Sequence, residues 1–340
     1  MTPQNPNRRE FLEATTAGLA VAGLLGAVDA GQLNDGGIPL RRLGKTGEVV
    51  SLLCLGGHSC TNPKKLSEEE SLRLIRRAVD EGIHFMDNCW DYHHGGAEEW
   101  MGKALSEGGR RDRVFLMTKV CGRTAKEAES NLEDSLRRLR TDRIDLWQFH
   151  ELVYDNDPDW VFEDGGAIET GLKAVKDGKV RYLGFTGHKD PSIHLKMLSK
   201  PYDWASVQMP LNVMDVHYRS FQKQVLPELV RRGIAPLAMK SLGGDGKIVS
   251  AAGIPVEDAL RYVLSLPIAT LVSGIDSERV LDQNLRIVRN FQPLSEDERR
   301  ALELRTIGVA GDGRFELFKS SKQFDSPVHR KQHGFDTAIS

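Results

Sequence analysis

Residues 114–120 read VFLMTKV. The run is apolar without a clean in-out alternation, the pattern of a strand covered on both faces. It closes on a single charge, Lys119. Seven more runs of the same kind are spaced along the chain: VVSLLCLGG (49–57), IHFMDN (83–88), IDLWQFH (144–150), VRYLGFTGH (180–188), ASVQMPLNV (205–213), IAPLAMKS (234–241) and ATLVSGI (269–275). Amphipathic segments lie between them, among them SEEESLRLIRRAVDEG (67–82), AKEAESNLEDSLRRLRT (125–141) and VEDALRYVLSLP (256–267). Ser67 with Glu70 is a capping-box start, and Gly82 a stop.

Eight strands, each followed by a helix, predict an α/β chain folded as a (β/α)8 TIM barrel. An open doubly wound sheet would need a G-x-G-x-x-G after an early strand, and the chain has none. Ahead of the first strand, PLRRLGKTGEVVS (39–51) reads as a β-hairpin turning at Lys45-Thr46-Gly47 and plugging the barrel's N-terminal mouth. SEDERRALELRTIG (295–308) is one further helix, and a polar tail runs from Phe315. The expected division is residues 1–30 as an export signal, 31–314 as the barrel and 315–340 as the tail.

Composition narrows the function. Hydrophobic residues are 40% and charged residues 28% of the 340, as in ordinary globular chains. The formal charge is -2 with no long basic run, which excludes nucleic acid as a partner, because that affinity is mostly phosphate neutralisation.

NRREFLEATTAGLAVAGLLGAVDA (7–30) departs from the rest. Arg8 and Arg9, then Phe11 and Leu12, precede a small-residue apolar stretch and a V-D-A site ending at Ala30. The order resembles a twin-arginine export signal, cleaved near Ala30. The apolar middle is too short and too rich in Ala and Gly for a stable membrane span. The implied partner is the twin-arginine machinery, and the destination is the periplasm or the cell exterior. Cys54, Cys60, Cys89 and Cys121 would meet an oxidising compartment there, but folding before export argues against structural disulfides. Their spacing matches no zinc or iron–sulfur pattern, and no metal is expected. Cys54, inside a strand, reads as a small buried hydrophobe.

Active sites of such barrels lie at the C-terminal strand ends. Asp87 ends the second strand, with Tyr92 in the loop beyond. Lys119 ends the third and His150 the fourth. Thr186, Gly187 and His188 end the fifth, Gln208 lies in the sixth, and Lys240 and Ser241 close the seventh. Gly274 ends the eighth, followed by Asp276 and Ser277. An unpaired lysine at a strand end is costly, and Asp87 on the adjacent strand can pair with it. A phenol ordinarily titrates near ~10, and a neighbouring ammonium favours its phenolate.

With those residues in view, the chain resembles the aldo-keto reductases from about Leu43 to Asn290. The resemblance rests on LRRLGKTGEVVSLLCLGG, FMDNCWDYHHGGAEEWMGKAL, VFLMTKV, IDLWQFH, YLGFTGH, SVQMPLN and VSGIDSERVLDQNL. It implies a tetrad of Asp87, Tyr92, Lys119 and His150, and hydride transfer between NADP or NAD and a small carbonyl or alcohol. Tyr92 would be the general acid and base, and His150 would orient the carbonyl. It further implies cofactor contacts from Gly57, Thr186, His188, Gln208, Met239, Lys240, Ser241, Gly274, Asp276, Ser277, Gln283 and Asn284. His188 stands where the family has a Ser-Asn pair and Met239 where it often has an aromatic. Of the family's basic residues for a 2′-phosphate, only Arg279 is nearby.

His58, Trp90 and His93 are expected near the substrate. The loop ELVYDNDPDWVFEDGG (151–166) carries Tyr154, Trp160 and Phe162, which suit a sugar or another polyol. Export of a nicotinamide enzyme implies a tightly held cofactor. Two alternatives differ in class. One is a metal-dependent hydrolase or isomerase built on His58, His93, His94, His150 and His188. The other is a non-catalytic cofactor-binding subunit.

Overall fold

The apolar runs become two sets of strands. β1 (Leu40–Arg42) and β2 (Val49–Ser51) pair antiparallel. Eight strands then close a parallel barrel: β3 (Leu53–Gly56), β4 (Phe85–Asp87), β5 (Phe115–Val120), β6 (Ile144–Phe149), β7 (Val180–Thr186), β8 (Ser206–Pro210), β9 (Ala235–Met239) and β10 (Thr270–Ser273), with β10 beside β3. The computed structural model describes residues 32–337, so the export signal expected at 1–30 lies outside the described residues.

The barrel helices follow their strands in turn: α1 (Glu68–Asp80), α2 (Gly96–Leu105), α3 (Ala125–Leu139), α4 (Ala167–Lys176), α5 (Pro191–Leu198), α6 (Leu226–Arg232), α7 (Val256–Leu264) and α8 (Glu278–Arg289). Reciprocal capping boxes start α1 (Ser67, Glu70) and α3 (Thr124, Glu127), each cap worth about 1 kcal/mol. Gly82, at φ +97°, lets the chain turn off α1 at no steric cost. Leu74, Ile75, Ala78 and Val79 give α1 its buried stripe.

The run at 49–57, expected as one strand, is two. Val49–Ser51 belongs to the hairpin, and only Leu53–Gly56 joins the barrel. The hairpin turns through Gly44–Thr46 and floors the barrel: Leu43 and Val50 are fully buried against Phe85, Phe115, Leu146 and Leu237. Burying an aromatic or aliphatic side chain in such a layer stabilises by about 1.5–3 kcal/mol. Arg41 fixes the hairpin by donating to the carbonyls of Leu264 at 2.7 Å and Ile268 at 2.8 Å.

After α9 (Glu296–Ala310) comes the polar tail. It forms α10 (Leu317–Ser320) and α11 (Pro327–Gln332) and packs across the strand C-termini. Phe318, Lys319, Asp325 and His329 in it are buried. Among the described residues no helix is long and apolar enough to cross a membrane.

Candidate active site

The parallel register places Asp87 beside Met117 and Lys119 beside Gln148, so successive strand ends share one rim. Lys119, 1% exposed, donates to the Asp87 carboxylate and to the Asn88 carbonyl at 2.6 Å. Its ammonium lies 3.4 Å from the Tyr92 hydroxyl and 4.9 Å from that ring's centre. The Tyr92 ring meets the His150 ring edge-on at 5.9 Å. Asp87, Tyr92, Lys119 and His150 thus converge at one point.

Electrostatics sort them. Burial pulls the Lys119 ammonium down, but Asp87 and Cys89 outweigh it, and the group is held charged. Burial holds His150 well below the ordinary histidine value, and His329 and Lys119 push the same way, so the ring is neutral. The sequence expectation for Tyr92 needs correcting in sign. Burial pushes the phenol well above its usual value, and Asp87, Cys89 and Asp91 add to that. Proximity to Lys119 does not overcome a dry site ringed by acids, so Tyr92 stands protonated.

The other expected contacts are distributed around the same rim. Thr186 pairs in register with Gln208, and Pro210 with Met239. Gln208 is 2% exposed, and its Oε1 has no hydrogen-bond partner among the described residues. An orphaned amide oxygen there fits the carboxamide of a nicotinamide. His188 lies between Glu151 Oε2 at 3.2 Å and Asp325 at 3.4 Å. Lys240, at φ +55°, holds its ammonium 5.7 Å and 5.5 Å from the ring centres of Phe318 and Phe324. Ser241 is buried just beyond it. A side chain at Gly57 would strike the Asp87 carbonyl, and one at Gly274 the Ser59 hydroxyl.

At α8, Ser277 caps the helix through Val280 N–H, and Asp276 pairs with Lys65 at 2.5 Å. Gln283 is half-buried on this helix. The Asn284 amide is committed to the fold: it accepts from the Ser273 hydroxyl at 2.9 Å and donates to the Val280 carbonyl at 2.8 Å.

Of the residues expected near the substrate, His58 meets the Tyr92 ring edge-on at 5.2 Å, and His93 donates to the His58 carbonyl at 2.8 Å. Trp90 faces the helix ring. Its N–H donates to Asp134 at 3.2 Å, and Arg138 covers its face. Two aromatics of 151–166 are engaged by the tail: His333 stacks on Trp160 at 4.5 Å, and the Tyr154 hydroxyl donates to Asp325 at 3.2 Å, while Phe162 packs edge-on against Trp204 at 6.0 Å.

Several residues at the rim carry no sequence signal. Ser326 donates its hydroxyl to Asp91 Oδ2 and its N–H to Glu151 Oε1, both at 2.5 Å. His329 accepts from the Glu151 N–H at 2.9 Å, and its ring lies 5.4 Å from that of His150. Cys89, Asp91 and Cys121 gather around His150, with both sulfurs and Asp91 Oδ1 near its Nδ1. The His58, His93 and His94 set of the hydrolase alternative forms no such ligand group among the described residues. A charged cleft of about 500 Å³, lined by Arg73, Arg76, Arg77 and Asp80, lies on α1, away from this rim.

Comparison with known proteins agrees with this geometry. The model of the aldo/keto reductase family matches residues 52–251. The chain is 31% identical over 218 residues to the aldo-keto reductase YhdN of Bacillus subtilis, a match covering 61% of this chain and 60% of that one. It is 25% identical over 314 residues to the L-galactose dehydrogenase of Arabidopsis thaliana, covering 79% and 94%. Against two Bacillus subtilis relatives the chain spans only 47% and 60% of their length. The fold matches a holo aldo-keto reductase from Bacillus halodurans with a TM-score of 0.67 at 23% identity, covering 79% of this chain and 96% of that one. The family match takes in the strand ends that carry Asp87, Tyr92, Lys119 and His150, and the chain belongs to the aldo/keto reductase family.

Proposed function

We propose that the chain is an NAD(P)-dependent oxidoreductase interconverting a carbonyl and its alcohol, with Tyr92 moving the proton. The observation that carries this is the buried line from Asp87 through Lys119 to the Tyr92 hydroxyl, with neutral His150 facing the phenol. A bound nicotinamide supplies the hydride in reduction and takes it up in oxidation. His150 orients the carbonyl oxygen through a ring N–H. Tyr92 Oη releases its proton to that oxygen as charge develops there. The Lys119 ammonium, 3.4 Å away, stabilises the phenolate left behind, and Asp87 and the Asn88 carbonyl hold the ammonium still. In oxidation the phenolate takes the alcohol proton by the same contacts. Gln208, Thr186, His188, Met239, Lys240 and Ser241 are the residues that would hold the cofactor.

The substrate reading is a polyhydroxylated carbonyl. It is supported by the polar rim of Glu151, His188 and Lys240 and by the likeness to an L-galactose dehydrogenase. The reading of the protein as exported is supported by the Arg8-Arg9 pair, the small-residue apolar stretch after it and the V-D-A site ending at Ala30. The tail across the rim supports a cofactor held tightly enough to travel with the folded chain.

The test is Tyr92→Phe, assayed with NADPH and NADH against aldehydes, keto-sugars and polyols. Reduction should fall roughly 10²–10⁴-fold with cofactor binding retained. Undiminished reduction sinks the assignment. For export, changing Arg8 and Arg9 to Lys together should strand the protein in the cytoplasmic fraction; unchanged fractionation refutes that part.

A further inference from the structure

We propose that Cys89, Asp91, Cys121 and His150 bind one zinc ion. The four donors come from three neighbouring strand ends: Cys89 and Asp91 just beyond β4, Cys121 after β5 and His150 after β6. Cys89 Sγ, Asp91 carboxylate oxygen, Cys121 Sγ and a His150 ring nitrogen all lie within 4.8 Å of one another.

The spacing is that of a coordination shell. A tetrahedral zinc with bonds of about 2.3 Å to sulfur and about 2.0–2.1 Å to nitrogen and oxygen sets its donors roughly 3.3–3.8 Å apart. Here Cys89 Sγ lies 3.2 Å and Cys121 Sγ 3.6 Å from His150 Nδ1. The two sulfurs are 4.0 Å apart, and Asp91 Oδ1 is 3.8 Å from Nδ1. The Asp91 carboxylate lies within 4.8 Å of both sulfurs, so side-chain movements of up to about an ångström bring the four donors to bonding distance of a common centre.

Burial and hydrogen bonding point the same way. Both thiols are fully buried, and the Asp91 side chain is 10% exposed. Asp91 Oδ2 accepts from the Ser326 hydroxyl, while Oδ1, aimed at the ring nitrogen, has no hydrogen-bond partner among the described residues. A buried carboxylate oxygen without a donor is costly, and a cation relieves that cost. Binding releases the two thiol protons to solvent. Two thiolates, a carboxylate and an imidazole then leave the dication's site one negative charge in excess. The buried guanidinium of Arg123 lies behind it, donating to the His150 carbonyl at 2.6 Å and to the Cys121 carbonyl at 3.5 Å.

Four protein donors fill a tetrahedral shell, so the site is closed and structural rather than hydrolytic. Metal on Nδ1 also leaves the His150 proton on Nε2. That consequence bears on the proposed reduction and rests on it, whereas the site itself does not.

The test uses the full chain, isolated without a histidine tag from cells grown in zinc. Elemental analysis should find one zinc per chain. Reduced, stripped protein should take up one Co²⁺ and show thiolate charge-transfer and tetrahedral d–d absorption. Cys121→Ser should abolish stoichiometric binding, and Asp91→Asn should weaken Zn²⁺ at least tenfold. Cys60→Ala, whose thiol lies outside the cluster, should bind as the parent does. Folding of each variant is followed by circular dichroism. Reduced parent protein that takes up neither metal, uptake that survives in folded Cys121→Ser, or a Cys89–Cys121 disulfide in freshly isolated protein overturns the site. Carbonyl reduction is recorded on the same samples. Loss of metal uptake beside intact reduction refutes only the zinc site, and absent reduction in zinc-loaded parent refutes only the reductase.

Discussion

Lys319 of the tail and Asp215 beyond β8 face each other at 2.7 Å in complete burial. Lys319 also reaches Glu316 at 2.9 Å and the Tyr218 carbonyl at 2.8 Å. Removing one partner of a buried pair leaves an uncompensated charge. Lys319→Met should therefore cost about 3–5 kcal/mol where the tail docks. Limited proteolysis is the measurement: the variant should be clipped beyond Ala310 well before its barrel is cut. Cleavage no faster than in the parent refutes the anchoring role.

Lys119 lies at the centre of the tetrad and has the same vulnerability. Lys119→Met strands Asp87 at 3% exposure. The expected loss is about 3–5 kcal/mol by urea titration, together with near-complete loss of carbonyl reduction. Tyr92→Phe, whose hydroxyl among the described residues hydrogen-bonds only Lys119, across 3.4 Å, should lose reduction with little change in the urea midpoint. Equal destabilisation by both variants contradicts the separation of roles.

Glu151 sets a pH dependence. Burial pushes its carboxyl up to about 8, with Asp325 and Asp91 pushing the same way, while the Ser326 N–H and Lys240 oppose. An unfolded glutamate titrates near 4.3, so across the window from there to about 8 the folded chain holds the extra proton. Stability contributed by that proton is present at the acid end, declines as pH rises through the window, and is gone above it. The decline is at most about 1.4 kcal/mol per pH unit. Glu151→Gln should flatten the curve of unfolding free energy between mildly acidic and mildly alkaline buffer. A variant curve as steep as the parent's removes Glu151 as the cause.

The barrel and its tetrad were readable because each tetrad member but Tyr92 ends an apolar run, and a parallel register turns run ends into one rim. VFLMTKV announced both the strand and the misplaced charge at Lys119. The split of residues 49–57 was hidden because the hairpin strand and the barrel strand are both apolar and adjoin at Leu52. The Cys89–Asp91–Cys121–His150 cluster left no spacing to recognise: its donors are set by strand-to-strand distance, not by a local loop. The anchors of the tail carried no signal either. The tail is held by Lys319, Ser326 and His329, polar residues without period, whose partners lie more than a hundred positions upstream. Trp90 looked like bulk beside the substrate because sequence does not say which way a loop side chain turns.

The hairpin that floors the barrel has a consequence for traffic. Leu43 and Val50 fill the barrel's base beneath the tetrad, and at the other end the tail's Ser326 and His329 lie against the strand C-termini. Guests that enter past the tail one after the other leave past it in reverse order, the deeper one last.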